Sequence, residues 1–428
     1  MAQARPPIEP KTSYAKWHLD VEAELAGQAE ARLADLRSGA AWGAFCDAVK
    51  RAGESLHGSE FAADDRERAD GYRYLMGLMV KQLQQVLYRC PPEQPAFLRG
   101  MDDVIKWGLD NPDGVNSWLA QIGDGLTYRL FGRAGGERYV QFVQSGPEGT
   151  LSSHFLHDFE IGEDGRFEIM LSPERQRPGN WMPLAKGVEE LLVRRIQYDW
   201  DSEGYSEVYI ERPDAVGVPA PLQIPEPERV AAELRAVSKV LVSEFEFWQD
   251  YTRAFRAEGD NVIPADPPQA SGRSAVRTAP KGFFVLEPDQ AMLLEFEDPG
   301  GLFWSVAVGD TWFRSFDPSH RQTSLNGAQA RRDADGLYRV VLAHEDPGIA
   351  NWLDTAGYRR GNMTFRYVMT ERRPAPRLTV APLAEILKAL PADAARVTPQ
   401  ERAEVLARRA KAYSRRYAEP LTSRWSRF

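Results

Sequence analysis

Between Asp65 and Arg89, the apolar residues Tyr72, Leu75, Met76, Met79, Val80, Leu83, Val86 and Leu87 recur at three- and four-residue steps. That is the period of one helical face, which places Tyr72 on a core stripe. Cys90-Pro91-Pro92 ends the helix, since proline lacks an amide hydrogen and disfavours helical geometry in the residue before it. Gly71 and Gly77 fall inside it, each about 1 kcal/mol worse than alanine, which points to close packing against a neighbour. From Val21 to Arg37 the chain is rich in Ala, Leu and Glu, with Gly39 as a stop, so the first hundred residues read as helical.

The period changes after the turn cluster Asn111-Pro112-Asp113-Gly114. Segments Thr127–Phe131, Arg138–Val143, Arg166–Leu171, Leu191–Tyr198 and Glu207–Glu211 are rich in aromatic and β-branched residues and punctuated by Gly, Pro and Asp, as in an antiparallel sandwich or barrel. A helical interlude from Pro227 to Glu258 carries Val230, Leu234, Val237, Leu241 and Phe245 on one stripe. Residues 259–280 form a Pro/Gly/Ser-rich linker or surface loop. Strand texture returns from Phe283 to Met369, and Thr398-Pro399-Gln400-Glu401 is a capping box opening a last helix.

Two stretches repeat without a gap. Residues 164–181 read DGRFEIMLSPERQRPGNW and residues 335–352 read DGLYRVVLAHEDPGIANW, with Asp, Gly, Leu, Glu, Asn and Trp identical at an offset of 171. At the same offset Arg195 corresponds to Arg366. Asp-Gly suits a tight turn needing positive φ, and the residues after it alternate onto a core face. One half-buried face per strand demands a second layer. The predicted fold is therefore α+β: two related antiparallel β-sandwich or jelly-roll units with an N-terminal helical region, a helical interlude and C-terminal helices. The boundaries are residues 1–110, 111–225, 226–280, 281–375 and 376–428.

The motifs ADGYRYL at 69–75, NPD at 111–113, YRLFGRAG at 128–135, RQTSLNGAQA at 321–330 and NWLDTAGYRRGNMTFRY at 351–367, with the two repeat segments, resemble a large bacterial family catalogued as domain of unknown function 1214. The resemblance runs from about residue 65 to 370. It implies a jelly-roll-like β architecture with accompanying helices and a cytosolic catabolic setting, and it supplies no agreed reaction.

The 428 residues are 43% hydrophobic and 27% charged, an ordinary globular composition. With 53 basic and 62 acidic side chains the net charge is −9, which argues against nucleic acid as the main partner. No run is long and apolar enough for a spanning helix, and the start, MAQARPPIEPKTSYAKW, has no apolar signal core. Cys46 and Cys90 are the two cysteines, so a disulfide framework is not expected and a cytoplasmic setting is. The C-terminal basic residues Arg408, Arg409, Lys411, Arg415, Arg416, Arg424 and Arg427, interleaved with Tyr413, Tyr417 and Trp425, suit a helix terminus or an acidic partner subunit better than RNA.

No G-x-S-x-G, phosphate-loop or H-E-x-x-H motif is present. His154 and His157, three apart on a strand, point to opposite faces and do not chelate one ion, so neither a metal nor a cofactor is expected. The leading expectation is a cytosolic catabolic enzyme, a hydrolase or lyase acting on a small, largely apolar molecule. His344 would be its acid/base, oriented by Glu345 or Asp354. Arg366 or Asn351 would hold a polar group of the substrate, Tyr358 and Asn180 are further substrate-binding candidates, and Tyr72 and Arg73 would cover the pocket. The alternatives are a non-catalytic small-molecule or carbohydrate-binding protein using Trp181 and Trp352, and a structural module that forms homo-oligomers.

Overall fold

The structure is a computed structural model that describes residues 21–25, 29–88, 90–100, 106, 108–147, 149–202, 204–218, 226–264 and 277–416. The N-terminal segment 1–17, most of the Pro/Gly/Ser-rich stretch, and Tyr417, Arg424, Trp425 and Arg427 lie outside them.

Helices α1 (Val21–Leu25), α2 (Ala29–Ser38), α3 (Ala40–His57) and α4 (Asp65–Tyr88) gather around the long α5 (Pro227–Arg256). Their shared core includes Leu56, Phe61, Tyr74, Leu75, Leu78, Leu241 and Phe245, and it closes on Phe283 and Trp312 of the second β unit. The buried face of α4 overlaps the expected stripe only in part: Leu75, Met79, Leu83 and Val86 pack against the helical core. Gly71, Tyr74, Leu75, Leu78, Lys81 and Gln82 point inward, whereas Tyr72, Met76, Val80 and Leu87 are exposed. Two contacts turn the helix this way. Glu244 of α5, itself fully buried, accepts hydrogen bonds from Lys81 Nζ (2.7 Å) and Gln82 Nε2 (2.5 Å). The Trp312 indole lies so close to Gly71 that a Cβ there would sit 2.5 Å from Cζ2.

The first β unit pairs β1 (Leu98–Arg99), β2 (Gly114–Gln121), β8 (Glu190–Ile196), β4 (Tyr139–Gly146) and β5 (Gly149–Phe155) in one sheet, in that order. The other sheet runs β7 (Trp181–Pro183), β6 (Arg166–Ser172), β3 (Tyr128–Arg133), β9 (Glu207–Glu211). Inward side chains of both sheets, among them Trp118, Tyr128, Leu130, Phe142, Ile169, Val193 and Ile210, form one core.

The second unit repeats the plan. β10 (Arg277–Thr278) and β11 (Lys281–Val285) both pair β17 (Arg360–Val368), which is followed by β13 (Phe303–Gly309) and β14 (Ser324–Asn326). Opposite lie β16 (Trp352–Asp354), β15 (Leu337–Ala343), β12 (Gln290–Glu297) and β18 (Arg377–Pro382). Phe296, Trp304, Val306, Val340, Leu342 and Phe365 fill the space between. Each four-stranded sheet departs from the expected antiparallel pattern in the same place. Met170 pairs Trp181 and Val341 pairs Trp352, both parallel and both at corresponding positions. The turn glycines Gly165 and Gly336 have φ of 82° and 86°, the conformation the Asp-Gly pattern requires.

Helix α6 (Leu383–Ala389) and the turn after it cover the outer face of the second four-stranded sheet, seating Ile386, Leu390 and Ala394 on Ala291, Leu293, Val341, Ala343 and Trp352. Helix α7 (Pro399–Arg416) opens on the expected box, with Thr398 N donating to Glu401 Oε2 (2.7 Å) and Glu401 N to Thr398 Oγ1 (3.2 Å). Its basic residues are not all set out for a partner. Arg402, Arg409 and Arg416, two helical turns apart, are buried in the chain's own units. Arg402 binds Gln322 Oε1 and the Ile349 carbonyl, Arg409 the Pro318 carbonyl and Ser324 Oγ, and Arg416 the Pro112 carbonyl and Gln197 Oε1. No helix of the described residues is long and apolar enough to cross a membrane.

Candidate functional site

The structure does not assemble the expected His344 centre. Strand β15 ends at Ala343, and the imidazole that follows is bound at both nitrogens, Nδ1 to Thr355 Oγ1 (2.8 Å) and Nε2 to the Glu287 carbonyl (3.1 Å). Neither Glu345 nor Asp354 orients it. Glu345 is exposed, and Asp354 is buried against Arg321 Nη1 (2.7 Å) while accepting from the Ala356 amide (2.7 Å). A histidine held by a backbone carbonyl and a hydroxyl braces a turn, and neither expected carboxylate is bonded to it.

The other expected residues are scattered. Arg366 is buried in β17 with Nη2 on the Leu109 carbonyl, and burial, aided by nearby Arg277, pushes its pKa down to about 10. The titratable groups nearest it are Arg277, Asp110, Asp113 and Tyr139. Tyr358 donates to Asp70 Oδ2, stacks on Phe316 (4.7 Å) and lies under Arg66 (3.8 Å), so it fastens α4 to the second unit. Tyr72 bonds His57 Nε2 (2.9 Å) on the surface, and Arg73 is exposed. The Asn180 and Asn351 amides bond backbone groups of their own units. Trp352 is 6% exposed, capped by Arg402 at 5.1 Å, while Trp181 is half-buried with its indole N–H on the Ser172 carbonyl. Cys46 is exposed and Cys90 is buried.

Ser319, His320 and Asp317 lie together, but serine and aspartate both bond the same ring nitrogen, Nδ1 (2.7 and 3.1 Å). A relay needs the nucleophile's hydroxyl on one ring nitrogen and the orienting carboxylate on the other. Among the described residues no group of three or more His, Cys, Asp or Glu is placed to hold a metal ion.

A concave surface of about 920 Å³ opens elsewhere, on the outer face of the first unit's four-stranded sheet. Alternation along β3 sends Tyr128 and Leu130 into the core and Arg129, Phe131 and Arg133 outward. Phe131 pairs with Tyr209 of β9, their ring centroids 5.5 Å apart and planes 31° off parallel. The Arg129 guanidinium lies over the Phe131 ring at 4.4 Å. It also donates to Glu168 Oε2 (2.7 Å) and Glu211 Oε1 (2.8 Å), and Arg177 donates to Glu168 from the other side. Burial works against the Arg129 charge, but these hydrogen bonds outweigh it and hold its pKa above the ordinary value. Met170, Ile161, Asn180, Glu160, Arg166 and Glu207 complete the walls.

The repeat gives this face an internal reference. Strand registers place Phe131 opposite Glu168 and Tyr209, and Glu295 opposite Arg339 and Arg377. Phe131 and Tyr209 thus occupy the positions of Glu295 and Arg377, which form an ion pair. Arg129 likewise occupies the position of Leu293, on which α6 seats in the second unit. Sequence reasoning passed over Phe131 and Tyr209. The signal was an outward aromatic between two outward arginines, but at this strand the copies are out of step by more than the 171-residue offset reveals: the residue 171 positions after Phe131 is Leu302, not Glu295.

The profile of the family described as "Protein of unknown function (DUF1214)" matches residues 284–372, which is most of the second β unit. The crystal structure of an uncharacterised protein from Burkholderia cenocepacia is 30% identical, with a TM-score of 0.75 over 82% of this chain and 99% of that one. The chain belongs to the DUF1214 family. A protein from Vibrio parahaemolyticus is similar over 73% of this chain and 98% of its own, at 13% identity and a TM-score of 0.43. No curated protein matches the chain. The groove lies outside the residues matched by the DUF1214 profile.

Proposed function

We propose that this DUF1214 protein binds a small organic ligand, and that the groove over Phe131 and Tyr209 is its site. One observation carries the reading. The same scaffold position holds an ion pair in the second unit, Glu295 with Arg377, and two aromatic rings in the first. The fold therefore does not require rings there, and half-buried aromatics on a concave, largely charged face are suited to contact with a ligand. The volume falls within the ~300–1,000 Å³ of small-molecule sites.

The test is a thermal-shift screen of a mixed panel of sugars, amino acids, aromatic acids and nucleotides against the wild type and the Phe131→Ala/Tyr209→Ala double variant. At least one compound should raise the wild-type Tm and leave the variant's unchanged. If every stabilising compound acts on both proteins alike, or none acts, the groove is not the site.

A further inference from the structure

We infer that the ligand is a neutral saccharide, an oligosaccharide of a few units; this rests on the groove being the binding site. The first reason is electrostatic. The lining carries the guanidiniums of Arg129, Arg133, Arg166 and Arg177 against the carboxylates of Glu160, Glu168 and Glu207. The central ones are already matched: Arg129 serves Glu168 and Glu211 at once, and Arg177 also serves Glu168. An anionic ligand would have to draw Arg129 from two carboxylates, and a cation would have to draw Glu168 from two arginines. Each exchanges a formed charge-assisted hydrogen bond for another and gains little. A neutral ligand leaves the ladder intact.

The second reason is the chemistry of the rim. Guanidinium groups only donate and carboxylates only accept. Their alternation across Arg129, Glu168 and Arg177, with Glu207 and Arg133 at the edge, offers both roles within a few ångströms. Hydroxyl groups both donate and accept, so a polyhydroxylated molecule can use the donors and acceptors the ladder leaves over, whereas a purely apolar one would shield them from water without replacing those bonds.

The third is the floor. Tyr209, Phe131 and the Arg129 guanidinium make a run of planar groups with Met170 beside them. A sugar ring has a C–H face that packs on such a surface while its equatorial hydroxyls reach the rim. An open groove 920 Å³ in volume suits a chain of rings rather than one enclosed ring.

The experiment is calorimetric titration of the full chain with maltohexaose, with cellohexaose and with polygalacturonate, at 50 and 500 mM NaCl. One neutral hexasaccharide should bind, with a Kd that changes less than about twofold between the two salt concentrations, since no net charge is neutralised. Phe131→Ala and Tyr209→Ala should each weaken it about tenfold or more. Arg377→Ala, at the position of the second unit that corresponds to Tyr209, should leave binding unchanged. Binding of polygalacturonate alone, weakened steeply by salt, overturns the neutral assignment. If no saccharide binds while a panel compound still depends on Phe131 and Tyr209, the saccharide class is wrong and the groove stands. If nothing depends on those rings, both readings fall.

Discussion

Asn180 and Asn351 make the same three hydrogen bonds from corresponding places in the two β units. Asn180 donates from Nδ2 to the Glu160 and Glu168 carbonyls (2.8 and 3.1 Å) and accepts from the Glu160 amide (2.9 Å). Asn351 donates to the Arg331 and Arg339 carbonyls (2.6 and 3.0 Å) and accepts from the Arg331 amide (2.7 Å). In each unit the amide ties the loop before the short parallel strand to the neighbouring strand. Alanine at 351 strands these groups away from water, because Asn351 is 4% exposed. Asn351→Ala should therefore cost roughly 2–4 kcal/mol in urea unfolding. Asn180→Ala should cost about half as much, because its corner is half open and the freed groups reach solvent. A larger loss at Asn180 would contradict the burial difference between the corners.

Gly71→Ala sets two effects against each other. Helix propensity favours alanine by about 1 kcal/mol at an interior position. The new methyl, however, would lie 2.5 and 2.7 Å from the Trp312 ring and 2.8 Å from Leu56 Cδ1. Trp312 has little room to yield, being held by its indole N–H on the Glu67 carbonyl (2.7 Å) and stacked on Phe245 (5.6 Å). Overpacking of this kind costs about 1–3 kcal/mol, so the variant should unfold at lower temperature than the wild type. A rise in Tm would mean that the helix–tryptophan contact is looser than described.

Gly71 also indicates what could be read from the chain. A glycine inside a strong helical period pointed to a close neighbour, and Trp312 is that neighbour, but nothing in the pattern named it. The DG…NW repeat foretold two sandwiches because Asp-Gly turns and alternating strands are local codes. The orientation of α4 was not legible. Its apolar residues run on more than one face, and the buried side was chosen by Glu244, a residue 163 positions from Lys81. His344 misled for a similar reason. Carboxylates next to it in sequence point away, while Thr355 and Glu287, brought in by other strands, take both ring nitrogens.

The buried Lys81–Glu244 pair should behave asymmetrically. The two side chains are 6% and 0% exposed and lie 2.7 Å apart. Lys81→Met leaves the Glu244 charge inside the helical core with Gln82 alone, a change that costs about 3–5 kcal/mol in comparable settings. Lys81→Met combined with Glu244→Leu removes both charges and should recover most of that loss. Urea unfolding of the two single variants and the double variant gives the coupling directly. A double variant as unstable as the sum of the singles would show that the pair is not a unit.

Asp113 gives the fold a pH dependence that can be isolated. Its Oδ1 accepts from Trp200 Nε1 (2.9 Å) and Asn326 Nδ2 (2.7 Å), joining the two β units beneath Arg409 and Arg416, which lie 4.4 and 4.3 Å from the Trp200 ring. Burial raises its pKa, outweighing the Asn326 hydrogen bond, Arg416, the Trp200 hydrogen bond and Arg409, all of which pull it down. The native state therefore holds this proton more tightly than the unfolded chain. The stability it contributes is complete below the unfolded value of about 3.9 and is lost as pH rises through the higher folded value. Asp113→Asn keeps an oxygen for Trp200 and Asn326 and removes the titration. Measured by urea unfolding, the stability of this variant relative to the wild type should improve between pH 4 and pH 7. A difference that stays constant, or that moves the other way, would mean that the arginines above Trp200 and the two hydrogen bonds outweigh the desolvation of the carboxylate.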